Sequence, residues 1–325
     1  MIVDLNDFSK HRKALMGFSI FLILVCHASG RGVSMPNWML YFLSLGNIGV
    51  DIFFFLSGFG CYYSLSHNTK YSTMGGVFVW YKKRIKRIFI PYLFIFVPIS
   101  FVSMYLRNDT FPWMDWLKLI SMLDFWLSHR GPWFIAAIIP LYAITPMIVC
   151  FMRKRMKYIC MALIVVFYIS SFFTSDSEGY SPTDIINNVL FVTSRFPAFF
   201  LGLMMAEDIE TNKTMRLSTI VALVFIASLI LMCTHRLVYT YLFLVLPVMA
   251  IVSKTIGGGI KYCFDFLGNI TLEIYLTNII TPITIVSVPL AIFGVSNNCV
   301  LIYFVFVIIN VMVSYIINSL YKKLF

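Results

Sequence analysis

GNIGVDIFFFLSGFG, residues 46–60, places a carboxylate, Asp51, at the head of a run of three phenylalanines and a Leu-Ser-Gly. Apart from that charge the stretch has the composition of a membrane-spanning helix. An Asp at mid-bilayer costs roughly 2.5–3.5 kcal/mol on the insertion scale, so an ionisable group beside a span marks a candidate functional site. The apolar run before it carries one histidine, His27, the nearest candidate partner in sequence.

The rest of the chain resembles this stretch. Of its 325 residues 60% are hydrophobic and 12% charged, with a mean hydropathy of +0.87. Soluble domains carry about 25% charged residues. A chain so poor in charge cannot cover a water-facing surface, which makes it an all-α, polytopic membrane protein. Its runs are too long and too apolar for barrel strands. The net charge of +11 sits in short clusters between apolar runs. That is the pattern of cytoplasmic loops, not of a basic stripe on a soluble domain, and nucleic acid is not an expected partner. The seven cysteines lie in or beside apolar segments with no CxxC and no metal-ligand spacing. They read as small hydrophobes, and no metal is expected.

Taking the first span as residues 14–30, later apolar runs fall near 45–65, 88–106, 133–151, 158–174, 187–206, 217–234, 237–253, 266–290 and 299–320, about ten transmembrane helices. With the N-terminus in the cytoplasm, nineteen of the 25 Lys and Arg residues lie in cytoplasmic segments; the other six are Arg31, Arg107, Lys118, Arg130, Arg195 and Arg236. This asymmetry places both termini inside. The first run also has the form of a cleaved leader, but Asp4 and Asp7 and the many later spans disfavour that reading. The chain reads as one membrane domain over 1–325 with no appended soluble domain. Its longest loops are 66–87, cytoplasmic, and 107–132, external, where Trp113, Trp116 and Trp126 suit an interfacial belt or a re-entrant segment better than a sugar platform. Gly257-Gly258-Gly259 follows no strand and is an inner turn, not a phosphate loop.

In this topology His27 lies near the outer end of the first helix and Asp51 near the outer start of the second. A carboxylate beside a histidine orients the ring and favours its charged form, as a general base requires. An interfacial histidine and a helix-starting carboxylate fit the same residues, and the sequence alone leaves the two readings open. Lys83, Arg84 and Arg87 share one helical face just before Ile88-Phe89-Ile90-Pro91-Tyr92. Arg forks match phosphate oxygens; anchoring to anionic lipid headgroups explains the same cluster. Arg195, in SRFPAFFLG, and Glu273, in LGNITLEIYLTN, are further ionisable groups in apolar surroundings. Arg195 can snorkel, whereas Glu273 must find a partner, a proton or a wet cavity.

Taken in order, these features resemble the acyltransferase-3 family of integral membrane acyltransferases. The matching pieces are Val25-Cys26-His27, GVDIFFFLSGF at 49–59, KKRIKRIFIPY at 82–92, PWFI at 132–135 with Pro140 and Tyr142, RFPAFFLGL at 195–203 and LGNITLEIYL at 267–276. The resemblance implies a ten-helix fold in a bacterial inner membrane and acyl-CoA, expected to be acetyl-CoA, as co-substrate. It implies a hydroxyl of a surface polysaccharide or lipid-linked glycan as acceptor. It makes His27 the catalytic base and assigns Arg84 and Arg87 to the donor; Asp51 is then the expected orienting partner of His27, and Lys83 the expected third cation at the donor. The chain departs from the pattern twice. Met16 stands eleven residues before His27, where the family has arginine, and Thr277-Asn278 follows Tyr-Leu, where the family often has histidine. Lys13, on nearly the same face as Met16, is the expected partial substitute. The rival reading is a glycan transporter or flippase in which Asp51, Arg195 and Glu273 line a pathway.

Overall fold

The computed structural model describes residues 2–31, 33, 35–67, 71, 73–107, 113–174, 184–281 and 300–324. The chain opens with a short strand β1 (Ile2–Asp4), a one-turn helix α1 (Asn6–Lys10) and α2 (Arg12–Gly30). Next, α3 (Asn37–Ser44) runs through a 3-10 turn into α4 (Ile48–Ser66), and α5 (Met74–Pro91) runs through a π-helical turn at Tyr92–Phe96 into α6 (Val97–Arg107). Two short helices, α7 (Trp113–Ile120) and α8 (Asp124–Ser128), precede α9 (Trp133–Pro146) and α10 (Met156–Ser171). Then come α11 (Ile185–Thr193), α12 (Phe196–Met204), α13 (Ala206–Glu210), β2 (Thr214–Arg216), α14 (Leu217–Thr234), α15 (Tyr241–Thr255), α16 (Gly258–Gly268), α17 (Thr271–Ile280) and α18 (Val300–Leu324).

Among the described residues six helical stretches are long and apolar enough to cross a bilayer: Asn37–Ser66, Met74–Val102, Trp133–Phe151, Ile185–Glu210, Leu217–Thr234 and Val300–Lys323. The chain is therefore an all-α, multi-pass membrane protein. The other four expected spans correspond to α2, α10, α15 and the α16–α17 pair. Helices form there, but α10 and α15 have only 16 and 15 residues. The expected 266–290 span is interrupted at Asn269–Ile270, and its end falls outside the described residues.

The GVDIFFFLSGF segment lies at the centre. It is apolar all round, so α4 buries every residue from Ile48 to Leu56, including Asp51. It packs against α2 on one side and α12 on another, while α16 covers α2 and α10 covers α12. The α4–α12 crossing is set by glycine. A Cβ on Gly58 would overlap the Phe199 carbonyl, and one on Gly202 would overlap the Phe55 carbonyl, so the backbones meet with no side chain between them.

One loop expectation changes, and a second narrows to one of its alternatives. Thr73 caps α5 by accepting a hydrogen bond from the Gly76 backbone N–H at 3.2 Å. With Val77 and Trp80 buried, the helix starts well before residue 82. The cluster 82–87 therefore lies inside a helix and not at the end of a long loop. In the 107–132 segment, Leu119 and Phe125 are buried, and the Tyr92 hydroxyl donates to the Leu119 carbonyl at 2.6 Å. From Trp113 onward the segment folds back on the bundle, with Trp116 and Trp126 against the core and Trp113 exposed. At the opposite, basic end, β1 pairs antiparallel with β2, Ile2 opposite Arg216. There Lys157 and Lys213 meet Asp208 at 3.2 and 2.6 Å.

Candidate active site

Residues from α2, α4, α5, α9 and α17 line a partly open cleft that begins at the basic end, with about 760 Å³ of empty space, open solvent included. Arg12, Arg84, Arg87 and Tyr142 line its floor, and Met16, Val50, Phe53, Ile138 and Tyr275 its walls. It climbs along α2 as far as Ile23, about 16 Å above Arg12 at the helical rise and one turn short of His27. Arg84 is fixed on three sides. One of its N–H groups donates to the Gly60 carbonyl at 3.2 Å and to Ser64 Oγ at 2.9 Å, and the guanidinium lies over the rings of Trp80 and Tyr142. Trp80 in turn donates to Ser64 Oγ at 2.8 Å. A second void, of about 1090 Å³, adjoins the first and shares Arg87, Thr271 and Leu272 with it. Lys83, Lys86, Lys322 and Glu273 also line it. Lys83 lines this outer void and not the first, and its ammonium donates to the Tyr71 hydroxyl at 3.1 Å.

At the far end of α2, His27 Nδ1 meets Asn278 Oδ1 at 2.7 Å. An acceptor oxygen facing Nδ1 requires that nitrogen to carry the hydrogen, leaving the Nε2 lone pair to take a proton. The contact is held by Arg31, one turn beyond His27. Arg31 donates to the carbonyls of Asn278 and Ile279 (3.2 Å) at the end of α17 and of Thr281 (2.9 Å) just beyond it, and lies over Phe306. A cation at a helix C-terminus satisfies carbonyls that have no intrahelical partner. The Tyr303 hydroxyl donates to the Leu24 carbonyl and ties α18 to the same turn of α2.

Asp51 faces the other way. Its Oδ2 meets Arg195 Nη1 at 2.6 Å, with both residues about 5% exposed or less, and the guanidinium lies over the Tyr241 ring. The expected His27–Asp51 pair is therefore not made. The helices are neighbours as expected, but Gly49 is the residue of α4 that meets Ser19 and Ile23 of α2. Asp51, two residues later, is turned about 200° from that face. Glu273 is also partnered: its carboxylate accepts from Asn318 Nδ2 at 2.6 Å and from the Tyr321 hydroxyl. A third void, of about 1350 Å³, opens at the far end between Asn47, His129, Asn187, Phe191, Arg195 and Tyr241, and it also touches Cys26, the residue before His27.

The family model for an acyltransferase domain matches residues 14–319, nearly the whole chain. The chain belongs to the acyltransferase-3 family. It is a membrane acyltransferase, and the rival reading as a carrier without chemistry falls away. No curated protein and no solved structure matches the chain.

In this acyltransferase Arg84 and Arg87 come together on one cavity, and Asn278, a departure from the family pattern, is the residue that touches His27. The other departure is answered differently from the expectation. Lys13 is exposed. Arg12, one turn before Met16 on the same face, brings its guanidinium to the cavity, with an N–H 3.4 Å from the Leu56 carbonyl. Arg12 and Arg31 were both readable, lying four residues from Met16 and His27 respectively. Among the described residues no group of three metal-ligating side chains gathers.

Proposed function

We propose that this enzyme is an O-acetyltransferase that moves an acetyl group from cytoplasmic acetyl-CoA to a hydroxyl of a surface polysaccharide or its lipid-linked precursor. Its setting would be a bacterial inner membrane, with ten spans and both termini in the cytoplasm. The observation that carries this reading is the cavity that starts among arginines at the basic end and stops one turn from His27. Arg84 and Arg87 bind the donor phosphates, with Lys83 at the outer mouth, and the apolar walls take the donor arm and exclude water.

His27 acts as general base. Nε2 removes the proton of the acceptor hydroxyl as its oxygen attacks the thioester carbonyl; the tetrahedral intermediate collapses with loss of the thiolate, which takes the proton from the imidazolium. Asn278, in place of Asp51, orients the ring and fixes the tautomer. A base of this kind contributes about 10²–10⁴-fold. The acceptor enters by the void at the far end, whose aromatic and amide lining (Phe191, Tyr241, Asn187) suits a glycan. Asp51 and Arg195 brace the bundle between the two entrances.

The test is the acetyl content of surface polysaccharide in a deletion strain complemented with wild type or with His27→Ala at matched membrane levels. Acetylation restored by wild type alone is the expected result. Equal restoration by both proteins would make His27 structural and remove the mechanism.

A further inference from the structure

Arg12 and the adjoining voids at the basic end point to a finer division of labour, which rests on the donor reading above. We propose that Arg12, Arg84 and Arg87 form an inner anion site for the diphosphate of the coenzyme A donor. Lys83, Lys86 and Lys322 form a separate outer site for its ribose phosphate.

Three features of the inner void lead there. It gathers three guanidiniums, and among the described residues no carboxylate pairs with any of them. Arg12 Nε is buried with no hydrogen-bond partner. Arg12 and Arg84 are held on successive turns of α4, at the Leu56 and Gly60 carbonyls, and a Cβ on Gly60 would overlap the Arg12 guanidinium. Like charges fixed this close in apolar surroundings repel one another until an anion lies between them. Beyond them the void is lined by Met16, Ile23, Val50 and Phe53 and leads towards His27, so the anion held there is the one joined directly to the acyl-bearing arm. In coenzyme A that group is the diphosphate. The ribose phosphate, on the far side of the nucleoside, then falls in the outer void, which shares Arg87 with the inner one. Glu273 lines the outer void as well, but its carboxylate already accepts from Asn318 and Tyr321.

The experiment measures binding of coenzyme A and of dephospho-coenzyme A, which lacks the ribose phosphate, to the full chain in lipid nanodiscs. Arg12→Gln weakens both ligands by the same factor, about 10- to 100-fold for a lost charge-assisted contact. Lys322→Gln weakens coenzyme A about 2- to 5-fold, as for an exposed charge, and leaves dephospho-coenzyme A unchanged. Gly60→Ala keeps every charge but displaces the flexible end of Arg12, and it weakens both ligands as Arg12→Gln does. Coenzyme A binding untouched by Arg12→Gln and Gly60→Ala, or an Arg12→Gln loss confined to coenzyme A, overturns the division of sites while leaving the donor reading standing. Failure of the wild-type protein to bind coenzyme A overturns both.

Discussion

Replacing Asp51 by Asn separates a brace from a catalytic partner. Asp51 and Arg195 meet at 2.6 Å with almost no exposure. At an effective dielectric of about 20 their gross attraction is about 6 kcal/mol, offset by a desolvation penalty of several kcal/mol per ion. Taking away one partner leaves the other charge buried and unpaired, which costs about 3–5 kcal/mol. For a chain of this size that lowers the thermal midpoint of the detergent-purified protein by about 4–7 °C. Asp51→Leu combined with Arg195→Met, which removes both charges at similar volume, restores most of the loss. The assay pairs thermal unfolding with acetyl transfer per folded molecule well below the midpoint, where Asp51→Asn retains activity to within a few-fold. An unchanged midpoint together with an activity loss of about 10²–10⁴-fold, the size of a general-base effect, would refute the brace and return Asp51 to the chemistry of His27.

Asn278→Ala removes the acceptor facing His27 Nδ1; turnover falls about 10- to 100-fold with the donor KM little changed, measured as thiol release from acetyl-CoA. Arg84→Ala raises the donor KM about 10-fold or more, because the guanidinium anchored by Gly60, Ser64, Trp80 and Tyr142 is lost. Glu273→Leu strands the Tyr321 hydroxyl proton at a cost of about 1–3 kcal/mol, while the Asn318 amide keeps its hydrogen bond to the Tyr321 oxygen at 2.9 Å, whereas Glu273→Gln keeps an acceptor oxygen and costs less; thermal midpoints of the two variants decide this. Gly202→Leu places a side chain where the Phe55 carbonyl lies and forces α4 from α12, so the variant yields little folded protein in membranes, while Ala substitution at the open Gly75 leaves the yield unchanged.

The sequence made the central helix readable because GVDIFFFLSGF is apolar on every face, and a helix without a polar side must be buried. It also made the basic cluster and the lone His27 conspicuous. Partner choice was hidden, because it depends on how each helix is rotated about its axis. Asp51 lies on the helix that packs beside α2, yet the face that meets α2 is set by Gly49, and the carboxylate points to Arg195, 144 residues away. The partner of His27 is 251 residues off, and the only trace of it was that Asn278 stands where the family often has histidine. The early start of α5 was written in Thr73 and its cap, but the run of lysines and arginines that follows reads as a loop when hydropathy alone is weighed. The interruption at Asn269–Ile270 was concealed in the same way by apolar residues on both sides.

In the proposed reaction acetyl passes from coenzyme A to a glycan hydroxyl under the control of His27. The most direct test supplies radiolabelled acetyl-CoA to inside-out membrane vesicles that hold the acceptor polysaccharide and follows label into the glycan, for wild type and His27→Ala. Label in the glycan is expected with wild type and a loss of about 10²-fold or more with the variant, coenzyme A binding being retained. Equal labelling by the two proteins would contradict it.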